Sequence, residues 1–368
     1  MKKIFLWVGV IQFLALSPLG CSRERNDNNK AGNCVSRYDA KELAINKVYG
    51  QEKHQYYDLY VPNGRKAKFP LVIYCHSGGF VTGSKRNDMA THFCKDLARE
   101  GFAVAAINYH LLTLSNGGYM HQKKGILMAL EDLRTALEFF QRNEDDDPID
   151  TDNIFLAGFS AGAMLALHAI FSDEDEVVDY FEADPNFQSE VSVRGVISIG
   201  GAMLDPTHID DDEKTPVLLF HGEDDQIISL YTGDPFQKFA RDYTMDFPVL
   251  YFELGITKKK GDAPPEDITF GGFRKIQGKI PKDISTMFIN AVTPTVHGSG
   301  KVFDSLPPRS LNELVVIPKK GHTFMKTEGG IYNDDYCEMK KKTVSFIKNN
   351  LDRGNKRADA SRRQRENR

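Results

Sequence analysis

The stretch that decides the fold is Asn153-Ile154-Phe155-Leu156-Ala157-Gly158-Phe159-Ser160-Ala161-Gly162-Ala163-Met164. Its first apolar half, residues 154–157, predicts a short buried strand, and the apolar run after Gly162 predicts a buried helix. Between them, a serine stands at the tip of a tight turn flanked by glycines. Glycine suits such a turn because the strand and helix backbones approach closely there, and a Cβ would clash. The stretch therefore predicts a strand, a sharp turn and a helix in direct succession.

A serine at such a turn is well placed for nucleophilic chemistry. Gly-x-Ser-x-Gly between a strand and a helix is the pattern of a nucleophile elbow. The dipole and the free N–H groups at the helix N-terminus favour negative charge that develops near Ser160. The same pattern also occurs by chance, so its interpretation depends on its surroundings. An oxyanion loop should precede Ser160, and an acid and then a histidine should follow it.

A glycine-containing loop follows the first strongly apolar strand of the chain. Residues 69–74 predict that strand, and Cys75-His76-Ser77-Gly78-Gly79-Phe80 comes directly after it. Glycines there let backbone N–H groups point into a cavity without obstruction by side chains. We predict that the N–H groups of Gly78, Gly79 and Ala161 form an oxyanion hole. A plain glycine turn is the alternative. His76 is interpreted as a brace of this loop and not as the base.

Two later strand ends supply candidates for the acid and the base. Residues 216–220 predict a buried strand that leads into His221-Gly222-Glu223-Asp224-Asp225, in which three acids stand in a row. Residues 313–317 predict the last strand, and His322 follows it on a loop. A serine, then an acid, then a histidine is the order of a triad in which the histidine accepts the serine proton and the acid orients the histidine.

These motifs together resemble the α/β-hydrolase superfamily, in particular bacterial carboxylesterases of the hormone-sensitive-lipase-like and feruloyl-esterase-like type. The resemblance covers residues 56–254, resumes at 313 and includes Asp58-Leu59-Tyr60-Val61-Pro62. It implies an α/β fold, with a mostly parallel central sheet and helices on both faces. Such hydrolases resemble His-Gly-x-x-Asp-x-x-(Val/Ile) at the acid, and this register implies Asp225. Ser77 replaces a glycine of the family's His-Gly-Gly-Gly loop and leaves the subfamily open.

The resemblance also implies a function. His322 would take the proton from Ser160, Ser160 would attack an ester carbonyl, and Asp225 would hold the imidazole in the useful tautomer. The implied activity is that of a serine carboxylic ester hydrolase that needs no metal and no cofactor, with acyl groups on glycans as candidate substrates. Two alternatives stay open. One is a serine peptidase similar to prolyl oligopeptidase, and the other is a catalytically silent binding lipoprotein.

Length and charge fit one large domain. The chain has 368 residues, of which 41% are hydrophobic, and an α/β domain of roughly 300 residues would account for most of it. The formal net charge of -4 gives no indication of nucleic-acid binding. We predict the hydrolase domain at residues 38–352, an insertion at about 255–312 before the last strand, and a disordered basic tail at 353–368.

The N-terminus has the pattern of an export signal. Lys2-Lys3 precedes an apolar run at 4–16 and then Ser17-Pro18-Leu19-Gly20-Cys21. A basic region, an apolar region and a small residue before a break predict a signal peptide at residues 1–20. Gly20-Cys21 resembles the lipidation site of a bacterial lipoprotein, although Pro18 stands where that site usually has Leu. It implies a lipid anchor on Cys21 at a bacterial membrane, periplasmic or at the cell surface; plain secretion is the alternative.

The remaining cysteines divide into two pairs. Residues 21–37 predict a flexible tether that contains Cys34, and export permits disulfides. Cys34 and Cys337 are therefore candidates for a disulfide near the two chain ends. Cys75 lies in an apolar strand and Cys94 in the next predicted helix, so both are predicted to be buried apolar residues.

Overall fold

A central sheet organises the part of the chain that the computed structural model describes, namely residues 39–63, 68–112, 122–142, 148–181, 192–233, 295–309, 311–326 and 332–366. All of these belong to one compact unit, Cys34–Arg368. In chain order the strands are β1 (Ala40–Val48), β2 (Tyr56–Pro62), β3 (Phe69–Cys75), β4 (Ala103–Ile107), β5 (Ile149–Phe159), β6 (Val196–Ile199), β7 (Ala202–Met203), β8 (Val217–Gly222), β9 (Thr232–Gly233), β10 (Val296–Gly298) and β11 (Glu313–Ile317).

The central sheet has the strand order β1-β2-β4-β3-β5-β6-β8-β11. From β4 to β11 all neighbouring strands are parallel, whereas β1 and β2 are joined antiparallel at one edge. The carboxyl ends of parallel strands meet at one edge of a sheet, which is where ligands bind in open α/β sheets. This edge therefore collects the loops that follow β3, β5, β6, β8 and β11.

Helices cover both faces of the sheet. They are α1 (Asp88–Arg99), α2 (Gln122–Arg142), α3 (Ala161–Phe171), α4 (Glu174–Phe181), α5 (Ser299–Ser305) and α6 (Asp334–Glu366), with one 3-10 turn at Pro206–His208. Alternate residues of β3 point to opposite faces. Leu71 packs in the core with α2 and α3, whereas Val72 packs in the core with α1 and α6. The predicted α/β architecture with helices on both faces is confirmed.

Three short strands form a second sheet beside this edge, in the order β7-β10-β9. β9 and β10 pair antiparallel and flank residues 234–294, which lie outside the described residues. β10 also pairs with β7, which follows β6 directly. The two ends of residues 234–294 therefore meet beside the central sheet. β10 and α5 fall within the predicted insertion at about 255–312, whose bounds stay a prediction.

The C-terminal region is different from the prediction. The structure continues α6 to Glu366, where the sequence predicted a disordered tail from residue 353. Arg, Lys, Ala, Gln and Glu dominate this segment and are good helix formers, and no proline interrupts it. Within the described ranges, the structure has no helix that is both long and apolar enough to span a bilayer.

The cysteines were assigned correctly where the structure describes them. Cys75 and Cys94 are free and fully buried. Cys337, in the first turn of α6, is disulfide-bonded. Its partner lies outside the described residues, as do the predicted signal peptide and tether. The pairing of Cys34 with Cys337 therefore stays a prediction.

Candidate active site

Ser160 stands at a strained turn between β5 and α3. It is the N-cap of α3, with φ 55° and ψ −119°. A residue other than glycine rarely adopts a positive φ, and such strain is found where structure positions a functional group. Its backbone N–H donates to the carbonyl of Ile199 at 2.9 Å, which ties the turn to the end of β6. The half-buried side chain thus sits at the carboxyl edge of the sheet.

Two glycines allow this turn because the backbones around it touch. A Cβ on Gly162 would lie 2.0 Å from the carbonyl oxygen of Cys75, at the end of β3. A Cβ on Gly158 would lie 2.2 Å from the backbone of Gly162. No side chain fits at either distance. The start of α3 therefore rests directly against the loop that follows β3, as the sequence pattern predicted.

His322 lies on the loop after β11 and reaches the same edge. Its Nδ1 is 2.7 Å from Oδ2 of Asp225. Its ring packs against Phe159, the residue before Ser160, with ring centroids 5.0 Å apart. A Cβ on Gly200 would lie 3.3 Å from Cε1 of His322, so a side chain at the end of β6 would press on the imidazole. The structure thus brings His322 beside the serine turn and onto the predicted acid.

The serine and the histidine are neighbours without a hydrogen bond between them. Both side chains lie in the part of the chain that the structure describes, and there the His322 imidazole is hydrogen-bonded to Asp225. Hydrogen bonds of this kind are often long or poorly aligned without substrate and tighten when it binds. The missing bond is therefore no argument against proton transfer between them when substrate is bound.

Asp225 is buried and fully hydrogen-bonded. Its Oδ1 accepts from the backbone N–H groups of Ile227 and Ile228, at 2.8 and 2.9 Å. Its Oδ2 accepts from His322 and lies 3.3 Å from Nε2 of His221. Burial alone would raise the pKa of this carboxyl, but His322 and His221 lower it below its ordinary value. Asp225 is therefore ionised at neutral pH.

The structure also separates Asp225 from the two acids beside it. Glu223 and Asp224 are exposed at the turn after β8. Oε2 of Glu223 accepts from the backbone N–H of Lys319, at the far side of the loop that contains His322. Of these three consecutive acids, the structure therefore places only Asp225 on His322, which is the residue that the family register implied.

The predicted oxyanion loop turns sharply after β3. Gly78, Gly79 and Phe80 all have positive φ values, 135°, 60° and 63°. The carbonyl of Gly78 accepts from the N–H groups of Val81 and Thr82, which closes the turn. Among the described residues, none accepts a hydrogen bond from the N–H groups of Gly78, Gly79 or Ala161. These three donors are therefore available at the edge where the loop meets the start of α3.

The stacked rings of His76 and Tyr109 support the loop after β3. His76 is buried, and its Nδ1–H donates to the carbonyl of Ser77 at 2.8 Å. Burial lowers the pKa of His76 to about 4, so the ring is neutral, in agreement with its interpretation as a brace. Tyr109 stacks on the His76 ring and donates its hydroxyl to the His76 carbonyl at 2.6 Å. Sequence reasoning missed Tyr109, because its partner lies 33 residues earlier.

A buried ion network holds the other end of the loop. Asp58 of β2 is 2% exposed and pairs with Lys85 at 3.0 Å and with Arg86 at 2.6 Å. Burial alone would raise the pKa of Asp58, but bonds from Arg86, the N–H of Asn46 and Lys85 lower it. Removal of one partner from such a group leaves an uncompensated buried charge, which is strongly destabilising. The network therefore fixes where the loop returns into α1.

The arrangement at this edge suits proton transfer and anion stabilisation by protein groups. The described residues contain no group of three or more His, Cys, Asp or Glu side chains arranged to hold a metal ion. What they bring together is a hydroxyl on a strained turn, an imidazole oriented by a carboxylate, and backbone N–H groups without protein partners. Nucleophilic acyl transfer uses this set of groups.

Several known proteins with similar sequences are named as esterases, lipases or formamidases. A family model described as BD-FAE matches residues 57–204, less than half of the chain. Carboxylesterase 20 of Arabidopsis thaliana is 27% identical over 192 residues, which are 50% of this chain and 51% of that protein. Kynurenine formamidase of Danio rerio is 25% identical over 151 residues, 41% of this chain and 45% of that protein. The chain thus spans about half the length of these relatives.

Solved structures of other proteins resemble this structure in fold. An inhibited esterase B from Lactobacillus rhamnosis superimposes with a TM-score of 0.50 at 15% identity, over 88% of this chain and 92% of that one. The strand order, the helices on both faces and this likeness define an α/β-hydrolase fold. The sequence matches add that residues 57–204 are similar to the BD-FAE family and that part of the chain is similar to a carboxylesterase.

Proposed function

We propose that this chain is a serine hydrolase that cleaves carboxylic esters through an acyl-enzyme on Ser160. The observation that carries the proposal is that His322, whose Nδ1 is bonded to buried Asp225 at 2.7 Å, packs against Phe159, the residue before the serine of the strained elbow. The matched carboxylesterase points to the same class of reaction.

The proposed mechanism follows from the hydrogen bonds. Because Nδ1–H of His322 donates to Asp225, its Nε2 is left as the acceptor that can take the proton of Ser160. Ser160 then attacks the ester carbonyl, and the N–H groups of Gly78, Gly79 and Ala161 bind the oxyanion. Loss of one such donor typically costs about 10²–10³ in kcat. His322 returns the proton to the leaving alcohol, and the same residues then activate water to release the acid.

The test compares the wild-type chain from Ser22 onward with two variants. Ser160→Ala removes the proposed nucleophile, and Ser305→Ala makes the same change on a serine near the end of α5, whose hydroxyl donates to the carbonyl of Lys301. Hydrolysis of p-nitrophenyl acetate and butyrate should vanish in the first variant and persist in the second. A fluorophosphonate should label wild type at Ser160. Hydrolysis that survives in Ser160→Ala would exclude this nucleophile. A folded wild type without hydrolysis or label would favour a binding protein.

We propose acyl groups on glycans as the natural substrates. The support is indirect and comes from the predicted export of an esterase. Release of acetate or ferulate from acylated xylan should then exceed that from p-nitrophenyl esters in kcat/KM, and Ser160→Ala should abolish both. Equal or lower kcat/KM on every acylated glycan would contradict this choice of substrate without affecting the proposed nucleophile.

We propose further that the chain is exported and lipid-anchored on Cys21. The support is the basic, apolar and small-residue pattern of residues 1–21. Bacteria that express the full chain should incorporate an alkyne palmitate analogue into wild type and not into Cys21→Ser. The wild type should fractionate with membranes. Label that persists in Cys21→Ser, or no label in a processed wild type, would contradict the anchor.

A further inference from the structure

A second histidine converges on the acid of the proposed triad. His221, at the end of β8, is fully buried, and its Nε2 lies 3.3 Å from Oδ2 of Asp225. This is the oxygen that accepts from His322. The other oxygen is held by two backbone N–H groups. His221 is therefore the group besides His322 that controls the direction in which Oδ2 points.

The hydrogen bonds of His221 determine which ring nitrogen faces the acid. Nε2 lies 3.0 Å from the carbonyl of Ile228 as well as near Asp225, and neither partner can donate, so Nε2 must have the hydrogen. Nδ1 lies 2.8 Å from Oγ of Ser299. In a neutral ring Ser299 donates to Nδ1. In a charged ring Nδ1 donates to Ser299, which donates to the carbonyl of Gly201 at 3.3 Å. In both arrangements Nε2 keeps its hydrogen, which donates to the carbonyl of Ile228 and lies beside Oδ2 of Asp225 at 3.3 Å.

Ser299 belongs to the segment in which the chain returns from residues 234–294. It is the first residue of α5 and follows β10 directly. The same segment is bonded to the loop after Asp225, because the N–H of Gly300 donates to Leu230 and the N–H of Gly298 donates to Tyr231, at 2.7 and 2.6 Å. A Cβ on Gly298 would lie 1.8 Å from the carbonyl oxygen of Ser229. The returning chain therefore lies directly against the acid loop.

We infer that His221 and Ser299 are positioning residues for Asp225, so that the segment after residues 234–294 holds the acid of the active site in place. The inference rests on the proposed function, because both residues act through Asp225 and His322. Ser299 keeps the hydrogen of His221 on Nε2, and this Nε2–H, bonded to the Ile228 carbonyl, packs against Oδ2 at 3.3 Å and favours its position toward His322. The contact joins residues 78 positions apart, in a stretch that has no sequence pattern of its own.

The experiment uses a graded set of variants of the chain from Ser22 onward. The amide of glutamine reaches the place of Nε2, whereas that of asparagine reaches only the place of Nδ1. His221→Gln should therefore keep kcat within about tenfold of wild type, and His221→Asn should lower it by about a hundredfold. Ser299→Ala should lower kcat about tenfold with KM nearly unchanged, since no substrate contact is lost. Ser305→Ala, on the same helix, should have wild-type kinetics.

The pH profile separates positioning from a purely structural role. In His221→Asn, Oδ2 has one donor fewer and attracts the proton of His322 more strongly, so the acid limb of kcat/KM should move to higher pH. Thermal unfolding shows which variants fold. If Ser299→Ala does not fold, the difference in kcat between His221→Gln and His221→Asn tests the inference. If the wild type is active and His221→Asn has the same kcat and the same acid limb, the inference is wrong and the proposed function still stands. A wild type inert toward all esters would overturn the proposed function first.

Discussion

Replacement of Asp225 by asparagine tests the proposed triad most sharply, because it keeps the size of the side chain and changes its donors. Oδ1 accepts two backbone N–H groups, at 2.8 and 2.9 Å, so the amide oxygen of asparagine should take that place. The NH₂ group then occupies the position of Oδ2, 2.7 Å from Nδ1 of His322. A donor there requires Nδ1 to accept, which moves the ring hydrogen to Nε2. The imidazole can then no longer take a proton from Ser160.

The size of the effect follows from this change of tautomer. A triad histidine held in the wrong tautomer loses about 10⁴ in kcat, which is about 5 kcal/mol of transition-state stabilisation. KM should change little, because Asp225 is buried below His322 and is 3% exposed. Labelling of Ser160 by a fluorophosphonate should slow by a similar factor, because it needs the same activated hydroxyl.

Steady-state kinetics on p-nitrophenyl butyrate provide the measurement, and the neighbouring acid provides the control. Asp224→Asn makes the same change one residue earlier, on an exposed side chain, and should keep kcat within about twofold. Circular dichroism should show that both variants fold. A folded Asp225→Asn that keeps more than about a tenth of wild-type kcat would refute the reasoning, since a misoriented base cannot give that rate. An equal loss in Asp224→Asn would show that the wrong acid was chosen.

Three further predictions follow from the same structure. Gly200→Ala places a Cβ 3.3 Å from the His322 ring at φ 57° and should lower kcat about tenfold or more without abolishing folding, as kinetics and thermal unfolding will show. Burial lowers the pKa of His76 to about 4 and of His168 to about 3, whereas both titrate near 6.5 in the unfolded chain. Below pH 6.5 the unfolded chain therefore binds protons that the folded chain does not, and each histidine should lower the free energy of unfolding by about 2 kcal/mol by pH 5. Urea unfolding that shows unchanged or higher stability at pH 5 would contradict this. Tyr109→Phe removes the donor to the His76 carbonyl, so it should lower the free energy of unfolding in urea by about 1–3 kcal/mol and lower kcat with KM unchanged. A wild-type kcat would show that Tyr109 does not position the predicted oxyanion loop.

The turn around Ser160 was predictable from the sequence because its determinants are local. An apolar run, two glycines and a second apolar run are enough to specify strand, turn and helix within 12 residues. The structure confirms that sequence of elements and extends the strand back to Ile149, as β5. The order of serine, acid and histidine was also readable, because each follows a recognisable strand pattern.

Long-range contacts limited the rest of the prediction. His322 and Asp225 are 97 positions apart, and nothing local in either motif shows that they touch. They meet because β8 and β11 are parallel neighbours, with Gly222 opposite Ile317, so both strands end at the same edge of the sheet. The role of His221 was missed for the same reason, since its second partner lies beyond a stretch that the sequence left unassigned.

By itself, then, the sequence determined the α/β class of the fold, the tight turn under Ser160 and the glycine loop after β3, because hydrophobic period and glycine steric freedom act between near neighbours. The tertiary structure decided how Asp225, which the family register had already implied, is buried against His322, which tyrosine packs on the loop after β3, and that Ser299 of α5 lies against His221. Those choices depend on the strand order of the sheet and on the burial of each side chain, and both are properties of the whole folded chain.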